Sequence, residues 1–117
     1  MNAKNSVLLK NAECFIKNNF NKLDIYIKNN LIHKIDTNIN IKTENTYDCT
    51  GLTIFPGFID TQVHFREPGN PEKETLESGS KSAVLGGITS VFEMPNTFPP
   101  TDTKENFEDK LNRAKDR

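Results

Sequence analysis

The rhythm of apolar and polar positions changes once along this chain, near residue 50. Before that point the two kinds alternate. In "KLDIYIK", Leu23, Ile25 and Ile27 alternate with Asp24, Tyr26 and Lys28, the period-two signature of a strand with one buried face. Asn29 and Asn30 follow, and asparagine tolerates the left-handed backbone that a tight hairpin requires. "LIHKID" reads as the returning strand, "SVLLK" and "AECFIK" as two strands ahead of the hairpin, and "INIKTENTYDCTG" as a further extended segment. Residues 1–52 are therefore expected to form a small antiparallel β domain with no catalytic constellation of its own. His33 lies in the hairpin with no second ligand-type residue near it, so it reads as an exposed or packed histidine.

Residues 53–117 read differently. "LTIFPGFIDTQVHF" is mostly apolar, as expected for a strand buried on both faces, and Pro56-Gly57 punctuates its start. "REPGNPEKE" is a loop. "ETLESGSKSAVL" places Leu76, Ala83 and Val84 on one side of an amphipathic helix, and Gly86-Gly87 stands where a C-cap is wanted. "ITSVFEM" reads as a second strand, "PNTFPPTDT" as a second loop and "KENFEDKLNRAKDR" as a second helix. Thr101 or Thr103 is placed to cap that helix, and its basic end suits the dipole. The order strand, helix, strand, helix predicts parallel βα units.

Composition adds bounds. The chain has 117 residues, 34% apolar and 26% charged, enough for one small domain or two partial ones and too apolar for wholesale disorder. A formal net charge of -1 gives no electrostatic reason to expect nucleic acid or an anionic membrane as partner. No apolar run suits a signal peptide or a membrane span, so a cytoplasmic location is expected. Cys14 and Cys49 form no C-x-x-C pair and read as two inert, reduced thiols.

Chemistry in βα units collects where strands end and loops begin. His64, Arg66 and Asn96 all fall at such ends or just beyond them. His64 and Arg66 are two apart and project to the same side if the strand continues that far. Arginine grips a carboxylate with two parallel bonds, and asparagine donates and accepts at fixed geometry. Two histidines spaced like Gln62 and His64 would both face a metal, but residue 62 is glutamine. The residues alone leave open a hydrolase site with one ligand changed and a plain strand.

"PGFIDTQVHFREPG" followed by "KETLESGSKSAVLGGITSVFEMPNTFPPTD" closely resembles the N-terminal part of the dihydroorotases, of the class I type, within the amidohydrolase superfamily. The resemblance runs from about residue 48 to 102, and the preceding β segment is similar to the small β domain such enzymes place before the barrel. It implies a metal-dependent (β/α)8 barrel that interconverts carbamoyl-aspartate and dihydroorotate in pyrimidine biosynthesis. The family's first strand carries D-x-H-x-H-x-R, whose histidines bind zinc. By that match Asp60 is the leading acid, His64 a metal ligand, and Arg66 and Asn96 hold the substrate carboxylate. Allantoinase-like relatives usually carry asparagine where Arg66 stands, and hydantoinase-like relatives lack the MPNT loop, so Arg66 favours dihydroorotate. Gln62 departs from the pattern, because a neutral amide oxygen is a weak zinc ligand beside imidazole.

A complete barrel takes about 250 residues, so residues 53–117 are expected to hold only its first two βα units. The family's later lysine, histidines and general-base aspartate would lie beyond Arg117. Two functional classes stand at this point. The chain is the N-terminal portion of a dihydroorotase-like cyclic amidohydrolase, expected to be inactive as 117 residues, with a small-molecule substrate and zinc in the complete fold. Alternatively it is a truncated non-catalytic remnant or a binding module docking on a pyrimidine-pathway enzyme such as a transcarbamoylase; an oligomer of the chain is the other partner that either class allows.

Overall fold

The computed structural model of the chain describes residues 4–115. They divide into two compact units, the first ending at Pro56 and the second beginning at Gly57.

In the first unit, β1 (Ser6–Ile16), β2 (Asn19–Lys28) and β3 (Leu31–Asp36) form an antiparallel meander. Its two turns are Lys17-Asn18 and Asn29-Asn30, and all four residues have positive φ, between 49° and 62°. Turns of that hand match the twist of the flanking strands. The expected pair of strands "SVLLK" and "AECFIK" is instead one strand with a bulge. Leu9 pairs with Ile25 and Ala12 with Leu23, so β1 spends three residues where β2 spends two. The bulge changes the phase of the alternation. Leu9, Ala12, Cys14 and Ile16 thereby join one core with Leu23, Ile25, Ile27, Cys49 and Ile54.

The expected all-antiparallel domain is corrected on the other side of β1. There β4 (Asn45–Asp48) and β5 (Thr53–Ile54) both run parallel to β1. The physical reason is connectivity: β3 runs in the same direction as β1, and residues 37–44 carry the chain back across to the start of β1. Thr53 and Ile54, expected to open the second domain, pair with Glu13 and Cys14 in the first sheet.

Asp24, expected on the polar face of β2, is buried. Its carboxylate accepts from the backbone N–H of Asn11 in the bulge and of Ile39 in the crossing segment, both at 2.9 Å, with the Lys10 ammonium 3.6 Å away. Burial alone would push this carboxyl up. The two amides and Lys10 outweigh burial and hold it below the usual carboxylate range.

The second unit follows the order β6 (Phe58–Val63), α1 (Leu76–Leu85), β7 (Ile88–Glu93), α2 (Lys104–Ala114), with β6 and β7 parallel. Pro56-Gly57 splits the apolar run that read as one strand into β5 and β6. That run was expected to be buried on both faces; in fact Phe58 and Ile59 are exposed, as is Phe92 on β7, because β6 and β7 form a sheet of only two strands. Thr75 caps α1 through a reciprocal pair with Ser78, and Thr103 caps α2. Leu76 and Gly79 face inward on α1, whereas Val84, expected on that side, is exposed. The expected extension of α2 through Asp116 and Arg117 lies outside the described residues.

Candidate active site

The β6 ladder closes at Val63, whose carbonyl accepts from Met94 N–H at 2.8 Å. Beyond it the pleat persists in burial. Phe65 and Glu67 are 7% and 6% exposed, while Gln62, His64 and Arg66, at the alternate positions, are exposed. The second loop enters from the end of β7 and brings Asn96 to the same rim. His64 Nδ1 and Asn96 Oδ1 lie 3.0 Å apart. An amide oxygen can only accept, so Nδ1 carries the proton. The bond leaves Nε2 and the two N–H donors of the Asn96 amide outside this contact. Among the described residues no carboxylate pairs with the Arg66 guanidinium.

The two loops are knitted to each other. Phe98 N–H donates to Pro68 O at 3.2 Å. Gly69 sits at φ +113°, and a Cβ there would lie 2.8 Å from Phe98 O, so only glycine permits this approach. Two buried ions tie the loops to the helices. Glu67 accepts from Leu76 N–H, at the start of α1, at 3.0 Å, and Arg113 on α2 lies 3.8 Å from its other oxygen. Lys110 on α2 donates to Glu93 Oε1 at 2.9 Å and to Thr97 Oγ1 at 3.0 Å. Sequence reasoning passed over Glu67 and Lys110. Lys110 did leave a signal: it interrupts the helical stripe Phe107, Leu111, Ala114, where an apolar residue would be expected.

The residues present do not make a zinc site by themselves. Among the described residues no three His, Cys, Asp or Glu side chains gather in a way that could hold a metal ion. Asp60 turns one carboxylate oxygen back onto the backbone N–H of Gln62 at 3.0 Å. What remains is one imidazole nitrogen and one neutral amide, where tight zinc sites use three or four protein ligands. His33 belongs to the other unit, with Tyr26 as its ring neighbour at 6.0 Å.

Comparison with known proteins bears on the same residues. A family model described as dihydro-orotase-like matches residues 51–117. A dihydroorotase of Pediococcus pentosaceus is 42% identical over 99 residues, covering 85% of this chain and 23% of that protein. A dihydroorotase of Bacillus subtilis is 51% identical over 85 residues, covering 73% of this chain and 19% of that protein. Among solved structures, the L-hydantoinase of Arthrobacter aurescens superposes with a TM-score of 0.85 at 32% identity, over 92% of this chain and 24% of that one. The chain thus spans about a quarter or less of the length of these relatives. No helix among the described residues is long and apolar enough to cross a membrane. With the matched segment holding both strands, both helices and both loops of the second unit, the chain belongs to the dihydroorotase-like family.

Proposed function

We propose that this chain is the N-terminal portion of a dihydroorotase-like cyclic amidohydrolase, and that it supplies the carboxylate-binding edge of the site. In this reading β6 and β7 are the first two strands of an eight-stranded barrel, and the ligand is dihydroorotate or carbamoyl-aspartate. Arg66 supplies a cation that pairs with no carboxylate among the described residues, suited to a bidentate grip on a ligand carboxylate. Asn96 has its oxygen turned to His64, which leaves its N–H groups free to donate to the ligand. The observation that carries the reading is the 3.0 Å contact between His64 and Asn96, because it sets residues of both loops at one rim.

Zinc, which the family implies, enters no step here, since the donors among the described residues do not suffice for it. The 117-residue chain alone is accordingly proposed to have no turnover. Gln62 and the missing cluster of ligands favour a second reading, a non-catalytic binding module built on the same fold.

The test is calorimetric titration of dihydroorotate and carbamoyl-aspartate into the natural polypeptide that carries residues 1–117. Binding is expected. Arg66→Met is expected to weaken it about 30-fold or more, the lower end of the cost of losing one partner of a charge pair, and Asn96→Leu is expected to weaken it as well. Equal affinity in Arg66→Met removes Arg66 from the site. Neither binding nor ring opening in the parent favours the non-catalytic module.

A further inference from the structure

We propose that Lys110 is a positioning residue for Asn96: reaching from α2, it fixes through Thr97 the short segment that sets Asn96 against His64. The proposal rests on the reading above only for what Asn96 then does to a ligand.

The Lys110 side chain is 10% exposed, and a lysine is seldom this buried unless its ammonium is satisfied. Two of its three N–H directions are used by Glu93 Oε1 and Thr97 Oγ1. Glu93 is the last residue of β7, and Thr97 follows Asn96. One ammonium therefore holds both ends of the segment Met94, Pro95, Asn96. Thr97 is itself buried, and its hydroxyl donates to Pro99 O at 3.0 Å while accepting from Lys110. The hydroxyl is thus fixed in both of its roles.

Stability alone does not explain this lysine. A buried ion pair is commonly no more stabilising than apolar side chains of similar volume, and the rest of its stripe, Phe107, Leu111 and Ala114, is apolar. What the pair adds is one defined geometry at the end of β7. Arg113, one turn further along α2, reaches Glu67 in the other loop, so the same helix contacts both loops whose residues meet at His64 and Asn96.

The experiment reads the ring nitrogens of His64 by ¹⁵N NMR in the natural polypeptide, with its fold checked by circular dichroism. His33→Asn removes the other histidine of residues 1–117. The parent is expected to show the Nδ1–H form imposed by Asn96. Thr97→Val, which cuts the link yet leaves Lys110 and Glu93 paired, is expected to lose that signature in favour of the Nε2–H form. Lys110→Met with Glu93→Gln, which removes both charges of this pair, is expected to do the same. Thr97→Ser keeps the hydroxyl and is expected to restore it. Folded Thr97→Val with an unchanged ring signature overturns the proposal. If the Lys110 variant fails to fold, the Thr97 pair decides alone. A ring that responds in a parent without carboxylate affinity upholds the positioning role and refutes the ligand reading. A ring that stays fixed while carboxylate affinity falls refutes the positioning role alone.

Discussion

His64 Nδ1 and Asn96 Oδ1 meet at 3.0 Å across 32 positions of sequence, and the bond joins the ends of two parallel strands. It gives both partners a defined orientation. The imidazole is held as one tautomer, and the amide presents its donor end away from the ring. A histidine that ligates a metal often donates its second ring N–H in this way, but here no further ligands surround it among the described residues.

That shortage makes Gln62→His a sharp test. The substitution supplies a second imidazole two residues from His64, yet two histidines remain short of the three or four ligands of a tight zinc site. Residues 1–117 carrying Gln62→His are expected to show neither stoichiometric zinc by atomic absorption nor ring opening of dihydroorotate. Tight zinc with turnover in this variant would show that the donors absent here are dispensable.

Asp24 predicts an acid limb in the stability of the first unit. Its folded carboxyl is held low by Ile39, Asn11 and Lys10 against the opposing effect of burial. A depressed folded value contributes stability above the unfolded value of about 4, and that stability is lost as pH falls through the folded value. The urea midpoint is expected to be flat from pH 7 to about 5 and to fall below about 4. Asp24→Asn should lower stability by roughly 1.5–3 kcal/mol at neutral pH and flatten the limb. Half-buried Asp36 and exposed Asp48, also held low, would leave only a residue of it. An equally steep limb in Asp24→Asn contradicts the assignment.

Gly79 should reverse the usual effect of a helical glycine. Replacing a helix-interior glycine by alanine ordinarily gains roughly 0.5–1 kcal/mol. At Gly79 the added Cβ would meet the Phe65 ring, with Cδ1 at 2.7 Å. Phe65 is buried, so the contact can be relieved only if its ring or α1 shifts. Gly79→Ala is expected to destabilise the second unit by about 1–3 kcal/mol, the range for overpacked sites. A raised melting temperature would show that α1 shifts freely over Phe65.

Residues 1–117 expressed alone are expected to self-associate. Phe58, Ile59 and Phe92 are 55%, 61% and 61% exposed, and β6 and β7 pair only with each other among the described residues. Apolar faces beside open strand edges drive association. Sedimentation velocity should show concentration-dependent species, reduced by Ile59→Lys with Phe92→Lys. A monodisperse monomer with a cooperative melt would contradict this.

Much of this protein was legible in sequence because the information is local. Alternation at Leu23, Ile25 and Ile27 marks β2, the Asn29-Asn30 pair marks its turn, and Gly86-Gly87 marks the end of α1. Strand, helix, strand, helix implies parallel pairing, and that order by itself places His64 and Asn96 at one rim. Periodicity, however, states which face of a strand is buried and not which strand lies beside it. Hence the pattern suggests an antiparallel β4, assigns Thr53 and Ile54 of β5 to the next domain, and shows the bulge at Lys10 and Asn11 as a break between strands. Asp24 looked like a surface residue because its partners, Asn11 and Ile39, lie 13 and 15 positions away. Lys110 looked like helix charge because Glu93 and Thr97 reach it only after α2 packs. Local pattern determined the elements and the rim on which the polar residues stand. Tertiary packing alone decided which charges are buried and paired, because a buried ion is tolerated only where distant parts of the chain bring it partners.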